Sequence, residues 1–194
     1  MLIVAPRSDG SVTCALDDET PIVLRPLCGD DAHKLAAGLR ELSTESRYCR
    51  FLTRKISLSR SELNYFTHCD SVNHLALGAF LTDPAGGELE LVGVARCVRD
   101  TNGFAFAEVA IVVADAWQKR SIGKLLFAEL AQRAWRVGVR HWKAVFFASN
   151  IAIRRLLESI GEKQAECAFV PGVVAALYRL TPADRLAEFA KVAR

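Results

Sequence analysis

One stretch near the middle of the chain, residues 108–123, limits the fold more than any other. It reads EVAIVVADAWQKRSIG, in which an apolar run gives way to a short polar and basic loop. Apolar residues then recur at helical spacing, at Ile122, Leu125, Leu126 and Leu130. The pattern predicts a strand that passes through a short loop directly into an amphipathic helix, as in proteins that mix α and β structure.

Periodicity and turn signals extend this prediction to the whole chain. The predicted strands are Ile22–Arg25, His74–Phe80, Glu88–Val98, Phe104–Val113, His141–Phe147, 163–170 and 173–180. The predicted helices begin at Asp30, at the capping box Ser59–Glu62, at Ile122, at Ile151 and after Pro182. Thr101-Asn102-Gly103 predicts a hairpin turn. The order β-α-α-β-β-β-α-β-α-β-β-α predicts a mixed α/β, or α+β, sheet protein.

Composition narrows the class of protein. A chain of 194 residues, about half of them apolar, suits one compact domain over residues 1–194. The six cysteines are scattered and none has metal-ligand spacing, so we expect reduced thiols, no metal and a cytoplasmic location. No apolar run reaches the ~20 residues that a membrane span needs. The net charge of +3 gives no case for a nucleic-acid partner.

The loop at residues 118–123 has the features of an anion site. Backbone N–H groups at the start of a helix are unpaired and carry partial positive charge. Lys119, Arg120 and Lys124 add full charges, and Gly123 lets a phosphate approach the backbone. Residues 116–157 contain nine basic residues and one acidic residue, which favours an anionic ligand on this half of the chain. The alternative is an ordinary turn with a solvated basic face.

Two segments resemble the GNAT superfamily of acetyl-CoA-dependent acetyltransferases. Gln118–Gly123 is similar to its pyrophosphate loop, [Q/R]-x-x-G-x-[G/A], with Ser121 where the first glycine is usual. Asn150–Gly161 is similar to its N-x-x-[A/S]-x-x-[L/F]-Y-x-x-x-G-F segment, with Leu157 or its neighbour where a tyrosine is common and Glu162 in place of the phenylalanine. The run Arg47–Phe51 further resembles the Y-x-R-F motif of Pat-type bacterial protein lysine acetyltransferases.

The resemblance covers about residues 20–180 and leaves a C-terminal helix at 182–194. It implies a GNAT-like fold, with a twisted, mostly antiparallel sheet of about seven strands and helices on both faces. It also implies acetyl-CoA as the acyl donor. The implied cofactor-binding residues are Ile111, Val112, Val113, Gln118, Lys119, Arg120, Ser121, Ile122, Gly123, Lys124, Asn150 and Arg154.

Glu108 is the candidate general base. Acetyl transfer to a lysine requires loss of a proton from an amine whose pKa is ~10.4 in water. Glu108 interrupts an apolar strand ten residues before Gln118, where many protein-acetylating members of the superfamily have their catalytic glutamate. The alternative is a glutamate on a solvated sheet face. For the general acid the candidates are Ser149 and Tyr178, and Cys97 is expected to be a buried, inert thiol.

These features predict a GNAT N-acetyltransferase that transfers the acetyl group directly from acetyl-CoA to a protein lysine. A small-molecule amine is the alternative acceptor. A non-catalytic acyl-CoA sensor is the alternative from another class, since Ser121 and the missing tyrosine both depart from the superfamily. The resemblance does not decide whether the protein forms a homodimer.

Overall fold

The structure is a computed structural model that describes residues 3–4, 10–83, 85–100, 103 and 105–182. Its strands are β1 (Ile3–Val4), β2 (Val12–Ala15), β3 (Pro21–Pro26), β4 (His74–Thr82), β5 (Glu88–Arg99), β6 (Phe106–Val113), β7 (His141–Phe147), β8 (Gly161–Val170) and β9 (Val173–Leu180). Its helices are α1 (Ala32–Glu41), α2 (Thr44–Phe51), α3 (Arg60–Thr67), α4 (Ile122–Arg136) and α5 (Ile151–Ile160).

The described strands form one sheet in the order β1-β2-β3-β4-β5-β6-β7-β9-β8. Neighbouring strands are antiparallel throughout, except for β6 and β7, which are parallel. The predicted class, a mixed α/β fold with a mostly antiparallel sheet, is therefore confirmed.

Helices cover both faces of the sheet. On one face, α4 and α5 enclose the larger core, in which Phe127, Trp142 and Tyr178 are fully buried. The ring of Phe127 meets the ring of Trp142 edge-on, with centroids 5.3 Å apart. On the other face, Leu35 of α1 packs on Phe80 and its neighbours in a smaller core. The sheet thus separates the face of α4 and α5 from the face of α1 to α3.

The sequence prediction missed three elements: β1, β2 and α2. The strands β1 and β2 are two and four residues long, too short for a period of two to show. Helix α2 is only eight residues long, is mostly polar and has no fully buried residue, so its few apolar residues gave too short a pattern to be recognised.

The N-cap of α1 lies one residue later than predicted. Asp31, rather than Asp30, holds this end of the helix, by accepting a hydrogen bond of 2.9 Å from the N–H of Cys28 and two of 2.7 Å from Arg25. Although burial raises the pKa of the Asp31 carboxyl, these hydrogen bonds outweigh burial and hold the pKa below its usual value. Arg25 also binds Glu88, so one guanidinium ties α1 to β3 and β5.

Two sequence predictions fall on residues outside the described part of the chain. They are residues 101–102 of the hairpin turn and the terminal helix from residue 183 onward. Within the described part, no helix combines the length and apolarity needed to cross a bilayer.

Candidate active site

The central feature of the site is a split in the sheet between β6 and β7. The two strands pair at Phe106 with His141, at Ala107 with Trp142, and at Glu108 with Lys143. Beyond that point β6 continues to Val113 and β7 to Phe147, but among the described residues they no longer pair with each other.

The split exposes a strand edge inside the sheet. Ile111, Val112 and Val113 pair with β5 on one side only. Unpaired backbone groups along such an edge are ready to bind an extended partner. These three residues, which the family resemblance implied to be cofactor-binding, therefore lie along the split.

Glu108 is the last residue of β6 that pairs with β7. Its side chain is exposed, and its strand neighbours are Val98 on β5 and Lys143 on β7. Alternation along β6 puts Ala107 and Val109 in the core under α4. Glu108 therefore lies on the opposite face, toward α1 to α3, at the closed end of the split.

The loop after β6 leads into α4 through an irregular backbone. Lys119 and Ser121 both adopt left-handed conformations, with φ of 60° and 65°. The N–H groups of residues 119–124 find no acceptor among the described residues. They lie at the positive end of the helix dipole, which is a favourable place for phosphate.

The polar side chains of this loop already have partners within the chain. Gln118 donates from Nε2 to Ser46 Oγ at 3.1 Å and to the carbonyl of Val113 at 3.2 Å, so it joins α2 to the end of β6. Arg120 forms an ion pair with Asp18 and stacks 4.3 Å from the centroid of the Trp117 ring. A phosphate would have to compete with Asp18 for Arg120.

The remaining basic residues of the loop have no such competitor. Lys119 and Lys124 are exposed, and neither has an ion-pair partner among the described residues. The ammonium groups of these two lysines are therefore available to bind an anion.

Gly123 also allows close packing between α4 and α5. A Cβ at this position would lie 3.2 Å from Cδ1 of Leu156, tighter than ordinary contact. The glycine therefore lets the first turn of α4 approach α5, beside the split.

The two predicted residues of α5 both have structural roles. Asn150 caps the helix by accepting a hydrogen bond of 3.1 Å from the N–H of Ile153. Arg154 forms an ion pair with Glu166 on β8 and lies over the ring of Phe146. The start of α5 flanks the open end of the split, since it follows β7 directly.

Of the other candidate residues, Ser149 is exposed in the turn between β7 and α5, at the open end of the split, and the remaining two are buried. Cys97 is fully buried and burial raises the pKa of its thiol to about 12, as expected of an inert cysteine. Tyr178 is fully buried, and burial raises the pKa of its hydroxyl, so it is poorly placed to donate a proton. The described residues contain no group of three or more potential metal ligands.

A groove opens on the face of α1 to α3, and sequence reasoning did not find it. We call it the α1–α2 groove. Its walls are apolar apart from Arg50 and Arg96, and its lining residues are Leu35, Gly38, Leu39, Leu42, Arg50, Phe51, Leu58, Phe66, Leu91, Val92, Gly93, Val94, Arg96, Val112 and Ala114. Val112 and Ala114 connect the groove to the split edge of β6.

A stability test follows from the backbone of Ser121. A side chain at φ of 65° costs roughly 1–2 kcal/mol, and the Ser121 hydroxyl makes no capping hydrogen bond that would offset this. We expect Ser121→Gly to raise the free energy of unfolding by about 1 kcal/mol, measured by urea denaturation. Ser57→Gly, at an ordinary φ, should give no gain. A loss of stability in Ser121→Gly would show that the hydroxyl is needed.

The split sheet, the open N–H groups and the basic loop together offer a strand edge and an anion-attracting helix start in one region of the surface. The profile of the acetyltransferase (GNAT) family matches residues 39–161, which is more than half of the chain. The chain therefore belongs to the GNAT family of acetyltransferases, as the resemblance predicted.

Individual relatives agree with this assignment. The chain is 32% identical over 138 residues to the acetyltransferase Pat of Mycolicibacterium smegmatis, covering 71% of this chain and 40% of that protein. It is 29% identical over 150 residues to the acetyltransferase PA5475 of Pseudomonas aeruginosa, covering 76% and 77%. The solved GNAT domain of Pat from S. lividans superposes with a TM-score of 0.75 at 27% identity, covering 88% and 97%. The chain thus spans less than half the length of the M. smegmatis relative.

Proposed function

We propose that this chain transfers the acetyl group of acetyl-CoA directly to a primary amine, most simply a protein lysine, in the cytoplasm. The split between β6 and β7 carries the proposal. An exposed carboxylate, an unpaired strand edge and the start of a helix follow one another along the chain at this split. An acyl-CoA has the matching parts, which are an amide-rich arm, a thioester and a pyrophosphate.

The residues around the split fit acetyl-CoA as the donor. The N–H groups of residues 119–124, with Lys119, Lys124 and a released Arg120, would hold the pyrophosphate. The free edge at Ile111–Val113 would pair with the amides of the pantetheine arm, as an added strand would. Asn150 and Arg154 flank the same opening on α5 and would border the arm.

Glu108 would act on the acceptor amine at the closed end of the split. It accepts a proton from the attacking nitrogen while the new N–C bond forms and the thioester C–S bond breaks. A backbone N–H of β6 directed at the thioester oxygen would stabilise the charge that develops there. Leu157, near the position where the family has a tyrosine, is fully buried. The departing thiolate would then take its proton from water.

A compact amine is the second candidate acceptor. The α1–α2 groove reaches the split edge of β6 at Val112 and Ala114, so a small ligand or one side chain that entered it would lie beside the split. Incubation with radiolabelled acetyl-CoA and a panel of proteins, lysine peptides and small amines distinguishes the two acceptors. Label that enters only small amines would exclude the protein lysine.

Binding of the donor can be tested without knowledge of the acceptor. Acetyl-CoA at 100 times its dissociation constant should stabilise the fold by ~2.7 kcal/mol, which corresponds to a rise in Tm of roughly 5–10 °C for a chain of this size. Differential scanning fluorimetry measures this shift. ATP at the same concentration is the control for general attraction of phosphate. An unchanged Tm with saturating acetyl-CoA would contradict the proposed function.

A further inference from the structure

The α1–α2 groove contains two guanidinium groups in otherwise apolar walls. Arg96 projects from β5 on the same face of the sheet as Glu108, and only 6% of its surface is exposed. Arg50 projects from α2 and is partly buried. Isolated cations are costly in such surroundings unless a negative charge meets them.

Arg96 has hydrogen-bond partners, but they are neutral. Its Nη1 donates to Nε2 of His74 at 2.6 Å, and its Nη2 donates to the carbonyl of Phe66 at 3.2 Å. Burial, followed by the charge of Arg96, lowers the pKa of His74 to about 4, so His74 is uncharged near neutral pH. These contacts fix the position of Arg96 but do not neutralise its positive charge.

Arg50 is the less satisfied of the two. Its guanidinium lies 4.9 Å from the centroid of the Phe51 ring, and no carboxylate among the described residues lies within ion-pair distance of Arg50 or Arg96. Burial, then repulsion from Arg96, lowers the pKa of Arg50 to about 10, and Glu108 opposes that change. Glu108 thus acts on Arg50 only from beyond ion-pair distance, Arg96 has no carboxylate partner among the described residues, and the groove has an unmatched positive charge.

We propose that the acetyl acceptor carries a carboxylate beside its amine, and that Arg50 binds this carboxylate while the amine faces Glu108. The inference rests on the proposed acetyl transfer. Arg50 and Glu108 lie on the same side of the sheet, beyond ion-pair distance of each other but near enough for the charge of Glu108 to act on Arg50. This cation and anion are the complement of a carboxylate and an ammonium on one ligand. A guanidinium can bind a carboxylate through two parallel hydrogen bonds. Arg96, held by His74 and Phe66, strengthens the positive field behind Arg50.

Two sources could supply this chemistry. One is a free amino acid with an apolar side chain, which the leucine-rich walls of the groove would cover. The other is a peptide in which an acidic residue stands next to the acceptor lysine. Both place a carboxylate and an amine on one short segment, so the experiment uses a matched pair of acceptors for each source.

The test compares kcat/KM for each member of two pairs. The first pair is leucine and leucinamide. The second is a lysine hexapeptide with glutamate beside the lysine and the same peptide with glutamine. In the wild type we expect a preference for the carboxylate in at least one pair. We expect Arg50→Gln to reduce that preference about 10- to 100-fold, the range for one charge-assisted interaction.

Comparison between wild type and variant cancels the intrinsic difference in reactivity between the two amines. Arg50→Lys keeps the charge and should retain part of the preference. Arg54→Gln, an exposed arginine nearby on the chain, should behave as wild type. The pair that responds identifies the source of the carboxylate.

Calorimetric binding of the same four acceptors to the CoA-bound protein separates this inference from the proposed function. Acetyl transfer without any carboxylate preference, or an equal loss for both members of each pair in Arg50→Gln, would overturn the inference and leave the transferase intact. Preferential binding of the carboxylate without transfer would overturn the transferase and leave the site intact. No preference in transfer or in binding would overturn the inference outright.

Discussion

Replacement of Lys119, Arg120 and Lys124 by alanine should weaken acetyl-CoA binding by more than a hundredfold. Charge-assisted hydrogen bonds to phosphate contribute roughly 1.5–3 kcal/mol each, so loss of two of them costs ~3–6 kcal/mol. S-acetylpantetheine lacks phosphate and uses only the edge of β6, so its affinity should change little. Isothermal titration calorimetry with both ligands measures the two effects separately.

The control for this experiment changes net charge at a distance. Arg40, Arg54 and Arg60 are exposed on the side of α1 to α3, and their joint replacement by alanine removes the same charge. It should lower acetyl-CoA affinity only slightly, and more at low salt than at high salt. Equal losses for acetyl-CoA and S-acetylpantetheine in the loop variant would place the phosphates elsewhere.

The elements around the donor site could be predicted from sequence because their signals are local. The strand β6, the basic loop and α4 occupy one continuous stretch, and the apolar period of α4 is clear. Gly138 adopts a φ of 93° two residues after α4 ends, where the sequence placed the end of the helix. Strands of six or more residues, from β3 to β9, had enough alternation or apolar length to be recognised.

The split itself could not be predicted, because it depends on which backbone groups pair. Nothing in the residue types of β6 and β7 indicates that pairing stops after Glu108 and Lys143. The family resemblance alone named Ile111, Val112 and Val113 as cofactor-binding residues, and it did not indicate that they form an unpaired strand edge.

Helix α2 and the α1–α2 groove were missed for a related reason. The start of α2 is held by Asp115, which accepts hydrogen bonds from Ser43 and Ser46 about seventy residues earlier in the chain. Arg50 and Arg96 line one groove only because α2 folds across β6, the neighbour of β5. Contacts between such distant residues leave no periodic signal in a sequence.

Glu108→Gln should reduce the rate of acetyl transfer near neutral pH by roughly 10²–10⁴-fold, the usual contribution of general-base catalysis. The amide has nearly the same size as the carboxylate, and Glu108 is exposed on the face opposite the larger core. Fold and acetyl-CoA affinity should therefore persist. The rate should recover in part at high pH, where more of the acceptor amine is already neutral. Initial rates of CoA release across a pH series measure both effects.

Glu90→Gln is the matched control, because Glu90 is also an exposed strand glutamate but lies on β5 away from the split. It should transfer acetyl groups at the wild-type rate. If Glu108→Gln is equally active at neutral pH, Glu108 is only a solvated strand residue. Another group or a chain of water molecules must then accept the proton of the amine. If Glu108→Gln and wild type both bind acetyl-CoA and neither acetylates any protein, peptide or small amine, the split sheet serves an acyl-CoA sensor. The carboxylate at its closed end would then have no proton to accept.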